Sequence, residues 1–182
     1  MDVQEAIKKR RTIHSFKTTH VPEVIIKRAV EAANFAPCHR HTFPWRFTSL
    51  QSERRDSLAK LALSLKFEKI TPDQISKERV LAKILNPSHL LIASQVLNGN
   101  PKSKLEDYAA CSCAIQNLFL SLTAEGVGSK WSTGTITTHK KTYNIGGINP
   151  DEEEIIGFIL IGYGEATNKV ERPLLNSVLR EY

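Results

Sequence analysis

Three cysteines in 182 residues are too few for a disulfide framework. Cys111 and Cys113 stand two apart in a stretch with helical patterning, where neighbours at that spacing point to different sides, so they neither bridge nor chelate. No His/Cys spacing resembles a zinc site, and no metal is expected. Aromatic residues make up only 7% of the chain, and no RNA-binding sheet signature or recognition-helix motif is visible. The chain carries 25 Lys and Arg against 19 Asp and Glu, a net charge of +6, but its basic residues are scattered. That pattern argues against a nucleic-acid partner and allows an anionic ligand. No apolar run approaches the roughly 18 residues of a membrane span. The opening "MDVQEAIKKRR" has no apolar h-region, so the cytoplasm is the expected location. No G-x-G-x-x-G, P-loop, G-x-S-x-G or triad spacing occurs.

What is present reads as a single domain over residues 1–182, with no repeat or linker dividing it. Asp2 and Glu5 have capping-box spacing ahead of a short helix, and Pro22 suits the first position of a second that Pro37 stops. "WRFTSL" alternates as a strand does. "SERRDSLAKLALSLKF" is amphipathic, and "TPDQISKERVLAKIL" predicts another helix opened by Thr71 and Pro72. "SHLLIASQVL" and "EEEIIGFILIGYGEA" are apolar enough for strands covered on both faces. Between them a helix is expected from about Ser103 to Glu125, apolar nearly all round and therefore central, ending at Gly126. "VGSKW" predicts a short strand. Helices dominate and alternate with a few strands, which gives an α+β class.

Three stretches are unusual for connectors: "RRTIHSF", "APCHRHTFPWRF" and "GVGSKWSTG". Together with "IIGFILIGYGEA" and "ERPLLNSVL" they stand in the order found in FMN-dependent nitroreductases, and the chain resembles the short, single-domain branch of that family. The resemblance spans essentially the whole chain. It implies a nitroreductase-like fold, with a mostly antiparallel sheet of four to five strands flanked by helices. It also implies a homodimer with FMN at the interface and a ping-pong cycle. In that cycle NAD(P)H is the electron donor, and nitroaromatics, quinones or similar small electrophiles are the acceptors. A family sibling with other reductive flavin chemistry, such as enone reduction or dehalogenation, is the alternative within enzymes. A flavin-binding protein without turnover is the alternative outside them.

Matched position by position, the resemblance makes Arg10 and Thr12 phosphate ligands, and Arg suits a dianionic phosphate through bidentate hydrogen bonding. Arg11 accompanies them and, by strand alternation, points away or pairs with an acidic residue. His14 lies on the side of Arg10 and Thr12, where relatives place a cation near the flavin N1 edge. Typical members read A-P-S-x-x-N-x-Q-P-W in the loop that the partner subunit contributes. Here His41 replaces the Asn and Phe43 the Gln, while His39 matches a His of the minimal branch. Cys38, in the same basic loop, reads as a small buried or half-buried residue, with a reactive thiol favoured by the nearby cations as the alternative. Trp131 and Ser132 are expected to line the ring, with Thr133 and Gly134 at N5 and O4, glycine permitting close approach. From the tail, Lys169 or Arg172 supplies a second phosphate cation.

Overall fold

The structure is a computed structural model that describes residues 1–166 and 170–180. Four strands form one sheet: β1 (Trp45–Ser49), β2 (His89–Val96), β3 (Gly128–Ser132) and β4 (Glu153–Gly162). Their spatial order is β1-β2-β4-β3, and every pairing is antiparallel. In place of a fifth strand, Thr12 makes an isolated parallel bridge to Ser129, and the Ile13 amide donates to the Ser129 carbonyl at 3.1 Å. The N-terminal segment thus runs along the outer edge of β3.

Eight helices surround the sheet among the described residues: α1 (Val3–Lys9), α2 (Glu23–Ala33), α3 (Ser52–Lys66), α4 (Gln74–Leu85), α5 (Pro101–Ala124), α6 (Thr135–Thr138), α7 (Lys140–Gly146) and α8 (Leu175–Val178). Capping explains several starts. The Asp2 carboxylate accepts from the Glu5 amide at 2.8 Å, and the Asn100 side chain accepts from the Lys102 and Ser103 amides ahead of Pro101. Two starts differ from expectation. Pro22 stands one residue outside α2, and α4 is capped by Asp73, which accepts from the Ser76 amide at 2.8 Å, not by Thr71. Aspartate, with two acceptor oxygens, also takes the Ser76 hydroxyl, so it outcompetes the threonine two residues earlier.

The two central strands, β2 and β4, feed two cores by alternation. Leu91, Ala93, Ile159 and Ile161 pack against α2 and α5, whereas Leu90, Ile92, Phe158 and Leu160 pack with residues of α3, α4 and α7. Burying each such leucine, isoleucine or phenylalanine contributes about 1.5–3 kcal/mol. The alternation slips once, at Gly157, where the pairing with β2 shifts between Ala93 and Ser94. Gly157 has φ 157°, and a Cβ there would run into the indole of Trp131, so glycine lets that ring lie against β4.

α5 is not enclosed all round. Ala110, Cys111, Ala114, Ile115, Leu118, Phe119 and Leu122 are buried, while Leu105, Tyr108 and Cys113 on other faces are exposed. A helix apolar on several faces need not have all of them covered by its own chain. No helix among the described residues is long and apolar enough to cross a membrane.

Candidate functional site

The edge carrying the Thr12–Ser129 bridge gathers most of the residues singled out in the sequence. Arg10 closes α1 and is half-buried there. Burial, then the charge of Arg172 and then that of Arg11, holds its guanidinium below the usual arginine range. The charge of Arg172, exposed in the C-terminal tail, thus reaches Arg10, and no carboxylate within 4 Å pairs with either among the described residues. Arg11 is spent locally: its Nη1 donates to the carbonyls of Lys8 at 2.6 Å and Arg10 at 2.8 Å, satisfying the end of α1. Lys169 lies outside the described residues.

Further along the same edge, the Lys130 ammonium sits 3.5 Å from Nδ1 of His14. Burial and the neighbouring charge of Lys83 hold Lys130 below the usual lysine range. Lys130 and Ser132 project to the α3–α4 side of β3 and, with Thr133 and Gly134, line a cavity of about 400 Å³. Gly134 has φ 144° and ψ −178°, a region nearly reserved for glycine, and nothing lies within 4 Å of where a Cβ would stand. The backbone here presents an open surface that a flat ligand can approach. At the start of α6, the Thr137 hydroxyl donates to the Gly134 carbonyl at 2.6 Å and holds the turn.

Trp131 goes elsewhere. One residue from Lys130 and Ser132, it projects through the opposite face, where its Nε1 donates to the Ile156 carbonyl at 3.1 Å and its ring approaches Tyr108 of α5. Its side chain does not line the cavity, against the expectation that it sits with Ser132. Adjacent strand residues cannot share a face.

The loop of His39 and His41 is also apart from this edge. A 3-10 turn over His39–His41 packs on α5, with the His39 Nε2 4.0 Å from a Glu106 carboxylate oxygen. Arg40, His41 and Phe43 have φ of 58°, 52° and 44°, left-handed values that non-glycine residues adopt at a cost. An interior network holds them there. The Thr42 hydroxyl donates to Oδ1 of buried Asp107 at 2.6 Å, and the Asn98 amide donates to Oδ2 at 2.8 Å. With the Thr42 hydrogen used, the Cys38 thiol is the donor in its 3.3 Å contact to Thr42, and its sulfur accepts the Phe43 amide at 3.1 Å. Cys38 is thus a structural member of the loop, and Asp107, Thr42, Lys130 and Lys83 are participants that motif reading passed over. Alternation with Ser132 marks Lys130, but nothing local separates buried Asp107 from Glu106 beside it in α5.

An edge that runs from Arg10 and Thr12 past His14 and Lys130 to the open turn at Gly134 is an arrangement that can be compared with known proteins. The description of the Nitroreductase family matches residues 7–163. This chain belongs to the nitroreductase family. A Bacillus subtilis protein bearing the provisional name NAD(P)H nitroreductase YfhC is 30% identical over 175 residues, 93% of this chain and 88% of that one. Among solved structures, the nitroreductase-like family protein of Bacillus cereus superposes with a TM-score of 0.83 at 22% identity, covering 100% of this chain and 96% of that one. A variant of the FMN and NADPH-dependent nitroreductase NfnB, from Sphingopyxis sp. strain HMH, superposes at 0.81 with 16% identity, covering 100% and 99%. The α+β architecture is therefore the nitroreductase-like fold.

Proposed function

We propose that this nitroreductase-family chain is an FMN-dependent oxidoreductase that draws electrons from NAD(P)H and reduces small electrophiles such as nitroaromatics and quinones. The observation that carries this reading is half-buried Arg10 within range of the charge of Arg172, with no carboxylate within 4 Å of either among the described residues. Two guanidiniums placed together repel, and a dianionic phosphate turns that repulsion into charge-assisted hydrogen bonding. The named relatives support the same cofactors.

FMN, when bound, supplies the hydride chemistry, and the chain's residues bind and tune it. Arg10, Thr12 and Arg172 hold the phosphate. His14 and Lys130 supply positive potential further along the edge, where it favours an electron-rich ligand. Thr133 and Gly134 offer backbone at close range. His39 and His41, which line neither this cavity nor its edge, reach a flavin only from a second copy of the chain. The exposed Leu105 and Tyr108 of α5, with Leu174, Leu175 and Val178 in the tail, provide apolar area for that homodimer.

The test is a visible spectrum of the purified protein, followed by NADPH and then NADH without oxygen. A flavin spectrum that bleaches supports the reading. A flavin that stays oxidised with both nucleotides points to a binder without turnover, and a colourless protein that takes up no added FMN overturns the reading.

A further inference from the structure

The turn between β2 and α5 holds the only Asn-Gly pair in the chain, Asn98 and Gly99. Both residues are exposed and stand outside any helix or strand. The Asn98 side chain makes two contacts. Its Nδ2 donates to Oδ2 of buried Asp107 at 2.8 Å, and its Oδ1 accepts the Asn100 amide at 3.1 Å. Gly99 has φ 75°, and nothing lies within 4 Å of where a Cβ would stand. Its own N–H donates to no acceptor among the described residues.

That free amide sets Asn98 apart from the other described asparagines. Asn86, Asn100 and Asn149 precede proline, which has no N–H. The amides after Asn34 and Asn176 are taken by the Ala32 and Leu174 carbonyls, and those after Asn117 and Asn144 lie inside α5 and α7. The Gly99 nitrogen has no hydrogen bond to break and no side chain to crowd it, so it is free to attack the side-chain carbonyl carbon of the residue before it. The Asn100 N–H on Oδ1 favours that attack, because it stabilises the negative charge that grows on this oxygen.

We propose that Asn98 is a self-modification site, where the chain converts its own asparagine to aspartate or isoaspartate and so releases the loop of His39 and His41. The Gly99 nitrogen forms a bond to Cγ of Asn98. Its proton passes through water to the side-chain nitrogen, which leaves as ammonia. Water then opens the resulting succinimide at either carbonyl, so the net change is a hydrolysis with no oxidation or reduction. Asp107 thereby loses one of its two donors and faces a new carboxylate, and the like charges repel. Those two donors tie the left-handed backbone at Arg40, His41 and Phe43 to α5, so the loop loses its anchor. The reaction needs only this chain and water and is independent of the flavin.

Purified protein held in mildly alkaline buffer, sampled over time and mapped as tryptic peptides by mass spectrometry, tests this. Residues 84–102 form one tryptic peptide, in which Asn86 and Asn100 serve as internal controls. The mass gain of amide-to-acid conversion should appear at Asn98 about tenfold faster than at Asn34, Asn117 or Asn144, a difference of about 1.4 kcal/mol in barrier. It should be absent at Asn86 and Asn100, and chromatography should resolve aspartate and isoaspartate forms of the peptide. Asn98→Gln, whose longer side chain must close a larger ring, should show no gain at that position. Amide exchange over residues 39–43 should accelerate in the aged parent and in Asn98→Asp, which introduces the carboxylate directly. Conversion at Asn98 no faster than at Asn34, Asn117 and Asn144 overturns the proposal, because the Asp107 contact then guards the amide. Exchange over residues 39–43 that stays slow in both the aged parent and Asn98→Asp overturns it as well, because the loop then does not depend on this contact.

Discussion

Arg10 and Arg172 come from opposite ends of the chain, yet the charge of Arg172 bears on Arg10 and no carboxylate lies within 4 Å of either among the described residues. An ion pair would explain such a placement by itself, whereas two like charges leave room for an anion. Arg10→Ala is expected to raise the FMN dissociation constant by about 10- to 100-fold, the equivalent of one charge-assisted hydrogen bond. Arg172→Ala should raise it less, because that side chain is exposed. The flavin-free form of Arg172→Ala should melt no earlier than the parent, since the change removes repulsion. Flavin fluorescence titration and thermal melts measure both effects, and unchanged FMN affinity in Arg10→Ala would remove the phosphate role.

Gly134→Ala isolates the backbone at the strand end. The space where the methyl would stand is open, so the cost is conformational, about 1–3 kcal/mol for a residue forced into this region. Denaturant unfolding should show a lower midpoint at unchanged slope, and FMN uptake should weaken as the turn relaxes. Full stability and full FMN uptake would show that this conformation is not needed.

Asp107 fixes the left-handed loop from inside. Asp107→Ala leaves the Thr42 hydroxyl and the Asn98 amide without their partner, and about 1–3 kcal/mol of stability should be lost. Thr42→Val should cost less than Asp107→Ala, and the double variant should cost less than the sum because the two share one bond. Amide exchange over residues 39–43 should accelerate in both single variants. Exchange that stays slow would mean the loop is held by something other than this network.

Cys111 and Cys113 should differ chemically despite their spacing. Burial, then Asp107 and Cys38, pushes the Cys111 thiol up to about 12, while Cys113 is exposed. Iodoacetamide near neutral pH should label Cys113 and spare Cys111, as peptide mapping will show. In the unfolded chain the Cys111 thiol ionises near its ordinary 9.0. Between that value and about 12 the unfolded state sheds a proton that the native state keeps, so stability falls as pH rises through this window. Cys111→Ala should flatten that alkaline decline.

Periodicity served best where one residue type repeats. The apolar runs at His89–Val96 and Glu153–Gly162 became the central strands, and the alternation of Trp45 and Phe47 became β1. Motif order led to Arg10, Thr12 and the Thr133–Gly134 turn, but could not say which faces the side chains take. Trp131 was placed with Ser132 although alternation separates them, and Arg11 was grouped with Arg10 although it caps α1. Asp107 acquires its role from contacts with Thr42 and Asn98 outside its helix, which no local pattern encodes. A fully enclosed α5 was expected because its composition is apolar, but composition does not say how much covering area the rest of the chain supplies.

The order of the sheet also bears on how the chain is made. β2 pairs with β4 from His89 opposite Ile161 onward, so the two most buried strands are separated by all of α5, β3, α6 and α7. A nascent chain that has emerged only as far as α5 holds an apolar strand with one edge unmatched, a form open to pairing with other chains. Pairings between such distant segments also slow folding, because a large loop must close before any contact rewards it. Release of the last fifth of the polypeptide, more than any earlier event, should mark when this protein becomes safe from aggregation during synthesis.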